Sequence, residues 1–221
     1  MYKRTKSELF NTITHFVGLC LTVCITWVIL WLGYAKNWEM AFGATFFTIG
    51  LVMMYLLSSM YHWWKPDSKG KRILRVLDHI SIYVLIASSY TPICMGLVED
   101  DYLISGWVSF GIIWALAITG IFMKIFLFDR FAKISVILYL LLGWSILFFA
   151  QPVRECLTLL SIIMILLEGV AYTSGVYFFV NDTDPRHPYY HGIWHIFVVL
   201  GTLFHWAAVF VMTLVPGTGD Y

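Results

Sequence analysis

The chain has 221 residues, 60% of them hydrophobic and only 12% charged, with a mean hydropathy of +0.80. A soluble domain of this size cannot hide so much apolar surface, so the composition excludes a water-soluble enzyme and describes an integral membrane protein. A net charge of +1 leaves no overall basic field for nucleic acid, and positive charges matter by position rather than by total.

From Met1 to about Thr14 the chain is polar and basic (Lys3, Arg4, Lys6), too charged for the apolar core of a signal peptide. No small-residue cleavage site follows the first apolar run, so that helix is expected to stay. Apolar runs long enough to cross a hydrocarbon core of ~30 Å follow at about 15–35, 41–62, 77–97, 105–127, 134–150, 157–180 and 191–214. The expected fold is therefore all-α: a cytoplasmic N-terminal segment over 1–14, a single membrane domain of seven transmembrane helices over 15–214, and a short external tail over 215–221. The fifth run, about 17 residues, lies near the lower limit for a span and leaves a count of six open. Trp38, Trp63, Trp64, Tyr102, Tyr189 and Tyr190 fall near run ends, where interfacial aromatics belong. Pro92 after Thr91 predicts a kink in the third helix. Cys20, Cys24, Cys94 and Cys156 form no C-x-x-C pair and fall in or beside apolar runs, so they read as small hydrophobes rather than redox centres.

Counting Lys and Arg orients the bundle. Lys3, Arg4, Lys6, Lys65, Lys69, Lys71, Arg72, Arg75, Lys124, Arg130, Lys133 and Arg186 all fall on one side, twelve of the fourteen basic residues. The other side keeps Lys36 and Arg154 and carries Glu99, Asp100 and Asp101. Positive residues mark the cytoplasmic side, which places the N-terminus inside and the C-terminus outside. An even number of spans would break this alternation.

Depth then becomes informative. The second helix runs inward and ends at His62; the third starts outward at Asp78; the last starts outward at His191 and His195; the first starts at His15. All of them fall in the cytoplasmic leaflet. Ionisable groups inside spans are costly, and they face the bundle interior, pair, or mark a site. His191 and His195 are four residues apart, so both imidazoles can aim at one point from one helix face. Ser58 and His62 share a face of the second helix by the same spacing, as do Glu8, Asn11 and His15 of the first. Three neutral imidazoles, a carboxylate and an open position make a catalytic zinc site, and His62, His191 and His195 are the expected ligands. His79 competes on the third helix but is expected to point about 100° away from Asp78. Glu8, Asn11 and His15 fit either an outer shell around the metal or a hydrogen-bonding cluster at the helix start. Glu168 and His205 lie near mid-membrane on the last two helices and are expected to pair with each other, directly or through one water, the alternative being a neutral Glu168 bonded to backbone or to a Ser or Thr. No lysine occurs in the last helix, so a retinal Schiff base is excluded.

The set Glu8-x-x-Asn11-x-x-x-His15, Ser58-x-x-x-His62, Asp78 and His191-x-x-x-His195 resembles the hemolysin III branch of the progestin and adipoQ receptor family, over nearly the whole chain. The resemblance implies a seven-helix protein with an intramembrane zinc on the residues matching His62, His191 and His195. In the eukaryotic receptors the positions matching Asp78 and Ser58 lie close to the metal and its water, and a lipid-amide hydrolase activity has been assigned. It follows that Asp78 and Ser58 are the candidate catalytic residues, zinc the cofactor, a membrane lipid the substrate or ligand, and a bacterial inner membrane the setting. A non-catalytic membrane-homeostasis or sensor protein with a structural zinc is the alternative. Despite the family's name, no secretion signal or amphipathic strand pattern suggests a pore former.

Overall fold

A computed structural model describes residues 5–128 and 130–214, with the side chains of 132 and 133 excepted; the expected external tail over 215–221 and the first four residues of the N-terminal segment lie outside the described residues. Eight α-helices run as α1 (Lys6–Lys36), α2 (Trp38–Trp63), α3 (Lys69–Glu99), α4 (Leu103–Leu127), α5 (Ala132–Gly143), α6 (Ala150–Cys156), α7 (Leu159–Val180) and α8 (Tyr190–Leu214), and a 3₁₀ segment, Trp144–Phe149, joins α5 to α6. Counting α5, the 3₁₀ segment and α6 together, seven helical spans among the described residues are long and apolar enough to cross a membrane. The fold is the all-helical, seven-span bundle that the apolar runs imply.

Local chemistry sets the helix ends. Thr5 caps α1 by accepting from the Glu8 N–H at 3.2 Å, Ser68 caps α3 through the Lys71 N–H, and Thr158 caps α7 through the Ser161 N–H. Asn37 both ends α1, donating its N–H to the Gly33 carbonyl, and starts α2, accepting from the Met40 N–H at 2.8 Å. One extended residue thus makes the whole turn between two spans.

The fifth span is longer than its apolar run. It extends over Ile134–Cys156, 23 residues, not the 17 or so read at 134–150, so the six-span alternative falls away. The cause of the misreading is Pro152, which has no N–H to give the Phe148 carbonyl, and the helix tightens to 3₁₀ just before it. Tyr90 of α3 spans this irregularity: its hydroxyl donates to the Gly143 carbonyl at 2.6 Å and accepts from the Ile146 N–H at 2.9 Å. Backbone groups that lipid cannot satisfy are satisfied by protein.

Within its most apolar stretch 78% of α3 is buried, against 22% for α4, so α3 is the axis around which the other spans stand. Pro92 lies inside α3 without ending it, packed against Gly43 of α2. One buried cluster gathers α3, α4, the fifth span and α7 around Tyr83, Met95 and Ile113; a second joins α1, α2 and α8 through Ile29, Phe47 and Tyr55. Tyr55 and Thr202 tie α2 to α8 with a 2.5 Å hydrogen bond. Trp31, Phe126 and Phe148 instead point outward, 66%, 72% and 86% exposed, the surface that lipid covers in a membrane. Without a hydrophobic drive between helices in lipid, close backbone approach has to come from small residues. At Gly50 a Cβ would lie 1.8 Å from the Ser88 hydroxyl, which is how closely α2 lies against α3.

Candidate metal centre and the cavity beneath it

The site forms at the end of the bundle where α1, α3 and α8 begin and α2 ends. His62 arrives on the last turn of α2, and His191 and His195 on successive turns of α8. One ring nitrogen from each lies within 4.8 Å of the others, and His62 and His195 are almost wholly buried. The three histidines singled out in the sequence are thus brought to one point.

Each imidazole is held from behind. His62 donates from Nδ1 to the Glu8 carboxylate at 2.8 Å, His191 donates to Asp182 at 2.6 Å, and His195 donates to the Asn11 carbonyl at 3.0 Å, with Thr14 Oγ1 at the same distance. A carbonyl can only accept, so His195 carries its proton on Nδ1 and leaves the Nε2 lone pair free. The same tautomer follows at His62 and His191 from ionised carboxylates. His62 Nε2 is buried and has no hydrogen-bond partner. A buried, unpaired imidazole nitrogen costs ~1–3 kcal/mol, and His62 beside His191 and His195, each with Nδ1 held by oxygen, is a donor set that could hold a metal ion such as zinc. The residues fit the metal.

Glu8 and Asn11 therefore sit behind His62 and His195; His15 does something else. Its ring stacks on His195 at 3.5 Å between centroids, its edge meets Tyr55, and both of its nitrogens are buried without partners. It packs against a candidate ligand without bonding to one. Glu8 is itself anchored, with Lys71 Nζ 3.2 Å from its second oxygen and also donating to the Tyr61 carbonyl at 2.6 Å. Gly192 lets this happen: a Cβ there would lie 2.3 Å from Phe10 and 2.9 Å from the Asn11 side-chain oxygen, so only glycine permits α8 to press against α1.

Sequence reasoning missed two residues. Asp182 lies in the α7–α8 loop, outside any helical periodicity, and its only signal was a carboxylate nine positions before His191. Asp184 and Arg186 close that loop with a 2.6 Å ion pair, and the Arg186 guanidinium holds the Asp184 carboxyl below its usual range. Thr14, adjacent to His15, shares the His195 Nδ1 with Asn11.

Asp78 and Ser58 are buried and line, with His191 and His195, a cavity of about 110 Å³; His62 reaches its neighbours from outside that lining. His79 is in the lining as well, contrary to the expectation that it points away. Its Nδ1 lies 3.7 Å from the Asp78 carboxylate and donates to the Arg75 carbonyl at 2.8 Å. A step of 100° between neighbours on a helix separates their Cβ atoms, but an imidazole is long enough to lean back beside the carboxylate. The same cavity is lined by Ile86, Ile165 and Tyr172 and, ten residues along α8 from His195, by His205 together with Glu168. His205 Nδ1 and Glu168 Oε2 are 2.6 Å apart, the pairing expected from their equal depth.

Residues 3–206 match the family described as Haemolysin-III related. The chain is 33% identical over 211 residues to the hemolysin-3 homolog of Bacillus subtilis (strain 168), covering 95% of this chain and 93% of that one. It is 34% identical over 205 residues to hemolysin-3 of Bacillus cereus, covering 91% and 90%. With the human monocyte to macrophage differentiation factor it shares 27% over 176 residues, 78% of this chain and 70% of the human protein.

Proposed function

The chain belongs to the haemolysin-III-related family of multi-pass membrane proteins, and from that premise we propose that it is a zinc-dependent hydrolase of a lipid amide or ester, serving membrane lipid homeostasis. The observation that carries the reading is His62 Nε2, buried and unpaired while Nδ1 is held on Glu8, within reach of His191 and His195, which line a cavity together with Asp78 and Ser58. His62, His191 and His195 would hold the ion, which when bound supplies Lewis-acid activation of water and of a carbonyl.

The remaining work belongs to the chain. Asp78 accepts a proton from water as the water oxygen bonds to the acyl carbon, and delivers that proton to the leaving nitrogen or oxygen as the old bond breaks. The products are a fatty acid and an amine or alcohol. Ser58, one turn before His62, offers its hydroxyl to orient the water or the carboxylate. The apolar walls take the acyl chain and keep bulk water out. By the distribution of Lys and Arg the site faces the cytoplasmic leaflet.

The test is metal content and turnover of purified wild type, His62→Ala, His191→Ala, His195→Ala and Asp78→Asn with ceramide and phospholipid as substrates. The three histidine variants lose most of their zinc; Asp78→Asn keeps zinc and loses hydrolysis. Zinc lost with Asp78→Asn would make the carboxylate a ligand and replace the catalytic reading with a structural, helix-tying metal.

A further inference from the structure

His191 and His195 account for the part of the cavity at the start of α8 and leave the part farther along that helix unexplained. Glu168 on α7 and His205 on α8 lie near the middle of their spans, where a carboxylate and an imidazole are costly. If the pair only tied two helices together, one hydrogen bond would suffice, and that bond is made through His205 Nδ1. The ring's other nitrogen, Nε2, is buried and has no partner in the protein, in a side chain only 2% exposed. Phe47 packs against the ring at 4.7 Å. The Tyr55 hydroxyl is taken up by Thr202. Both His205 and Glu168 line the cavity, together with Ile93, Ile146 and Ile165.

We propose that Glu168 and His205 form a second polar subsite, which binds a hydroxyl carried in the middle of an acyl chain lying in the cavity. The distance follows from the helix: His195 and His205 are ten residues apart on α8, ~15 Å along its axis at 1.5 Å per residue. The cavity is lined at both positions and mostly by apolar side chains between them, among them Ile86, Ile165 and Val198, as an acyl chain requires. A hydroxyl is the group that fits. If Nδ1 donates to the carboxylate, Nε2 accepts; if the carboxyl holds the proton, Nε2 donates; and a hydroxyl is complementary to both. A charged group at this depth would need a counter-charge, and Glu168 already has its partner. The subsite rests on the reading that the cavity takes a lipid acyl chain, and it narrows the substrate class to acyl groups hydroxylated far from the carbonyl.

The experiment is equilibrium binding rather than turnover. Full-length protein in phosphatidylcholine nanodiscs is titrated with radiolabelled octadecanoic acid and with octadecanoic acids bearing one hydroxyl near the carboxyl, in mid-chain or at the far end. Wild type binds the mid-chain isomer about tenfold tighter than the unsubstituted acid, and the other two isomers no tighter, because only the first satisfies a buried polar atom. His205→Leu loses that preference and keeps affinity for the unsubstituted acid, whereas Glu168→Gln, whose amide oxygen still accepts from Nδ1, keeps it. Equal binding of all four acids by wild type overturns the subsite and leaves water on the pair. A preference that survives in folded His205→Leu overturns it as well. Failure of every acid to bind overturns the lipid-holding cavity itself. The comparison among isomers on wild type needs no variant, so a misfolded mutant cannot blur the outcome.

Discussion

Glu8 is the sharpest place to test whether the shell behind the histidines matters. Its carboxylate takes the Nδ1 proton of His62 at 2.8 Å with one oxygen and Lys71 at 3.2 Å with the other. Glu8→Ala leaves an imidazole N–H without an acceptor on a ring only 4% exposed, which costs ~1–3 kcal/mol. At ~1.4 kcal/mol per decade this is a loss of roughly 5- to 150-fold in zinc affinity, in line with the ~10–100-fold effect of removing such partners from metal-binding histidines. Glu8→Gln is milder. The amide oxygen still accepts from His62, and what disappears is the attraction to Lys71, a partly exposed pair worth ~0.2–1 kcal/mol. Competition of purified protein against a chromogenic zinc chelator ranks the variants: wild type and Lys71→Met close together, Glu8→Gln slightly weaker, Glu8→Ala far weaker. An alanine variant within twofold of wild type would refute the reasoning. So would a glutamine variant as weak as the alanine one, since the charge and not the hydrogen bond would then hold the ring.

A protease added to intact cells should spare a tag on the N-terminus and cut one placed after Tyr221; the reverse pattern would put the histidines in the other leaflet. Gly192→Val should push α8 off Phe10 and Asn11, separating His195 from its acceptor, and zinc content should drop while the far half of the bundle keeps its helicity by circular dichroism. Retention of full zinc would show that α1 has slack to move. Tyr90→Phe should lower the thermal midpoint, because it strips the Gly143 carbonyl and the Ile146 N–H of their shared hydroxyl at ~1–3 kcal/mol for each buried group left unpaired; an unchanged midpoint in a detergent unfolding scan would mean that the 3₁₀ segment rearranges to satisfy itself.

Much of this arrangement is legible in the chain because membranes enlarge the signal. Apolar runs gave the spans, and their scarce ionisable groups could be placed by depth, which is why the histidine trio and the Glu168–His205 pair were both expected. Helical spacing worked for His191 and His195 because one rigid element carries both. It failed where a residue's partner depends on a loop or on side-chain length. Asp182 belongs to a loop with no period, and His79 is directed by its bond to the Arg75 carbonyl rather than by its step from Asp78. Glu8, Asn11 and His15 look alike as a motif on one face, yet they divide between holding ligands and stacking on one, a difference made by the α8 backbone coming close at Gly192. The end of the fifth span was misplaced because Pro152 and the charged pair after it read as a boundary, whereas Tyr90, from another helix, supplies what the proline takes away.

The bond from His195 to Asn11 closes a separation of 184 residues. It joins the first span to be made to the last. During synthesis α1 enters the bilayer with one face of the His15 ring and the flank of Phe10 uncovered; α2 brings Tyr55 to the ring, but its other face waits through the five spans between α1 and α8, until α8 brings His195 against it and Gly192 against Phe10. The histidine cluster is thus completed only when α8 arrives, and a truncation just before Tyr190 leaves a chain that keeps six spans but has lost two of its three clustered imidazoles.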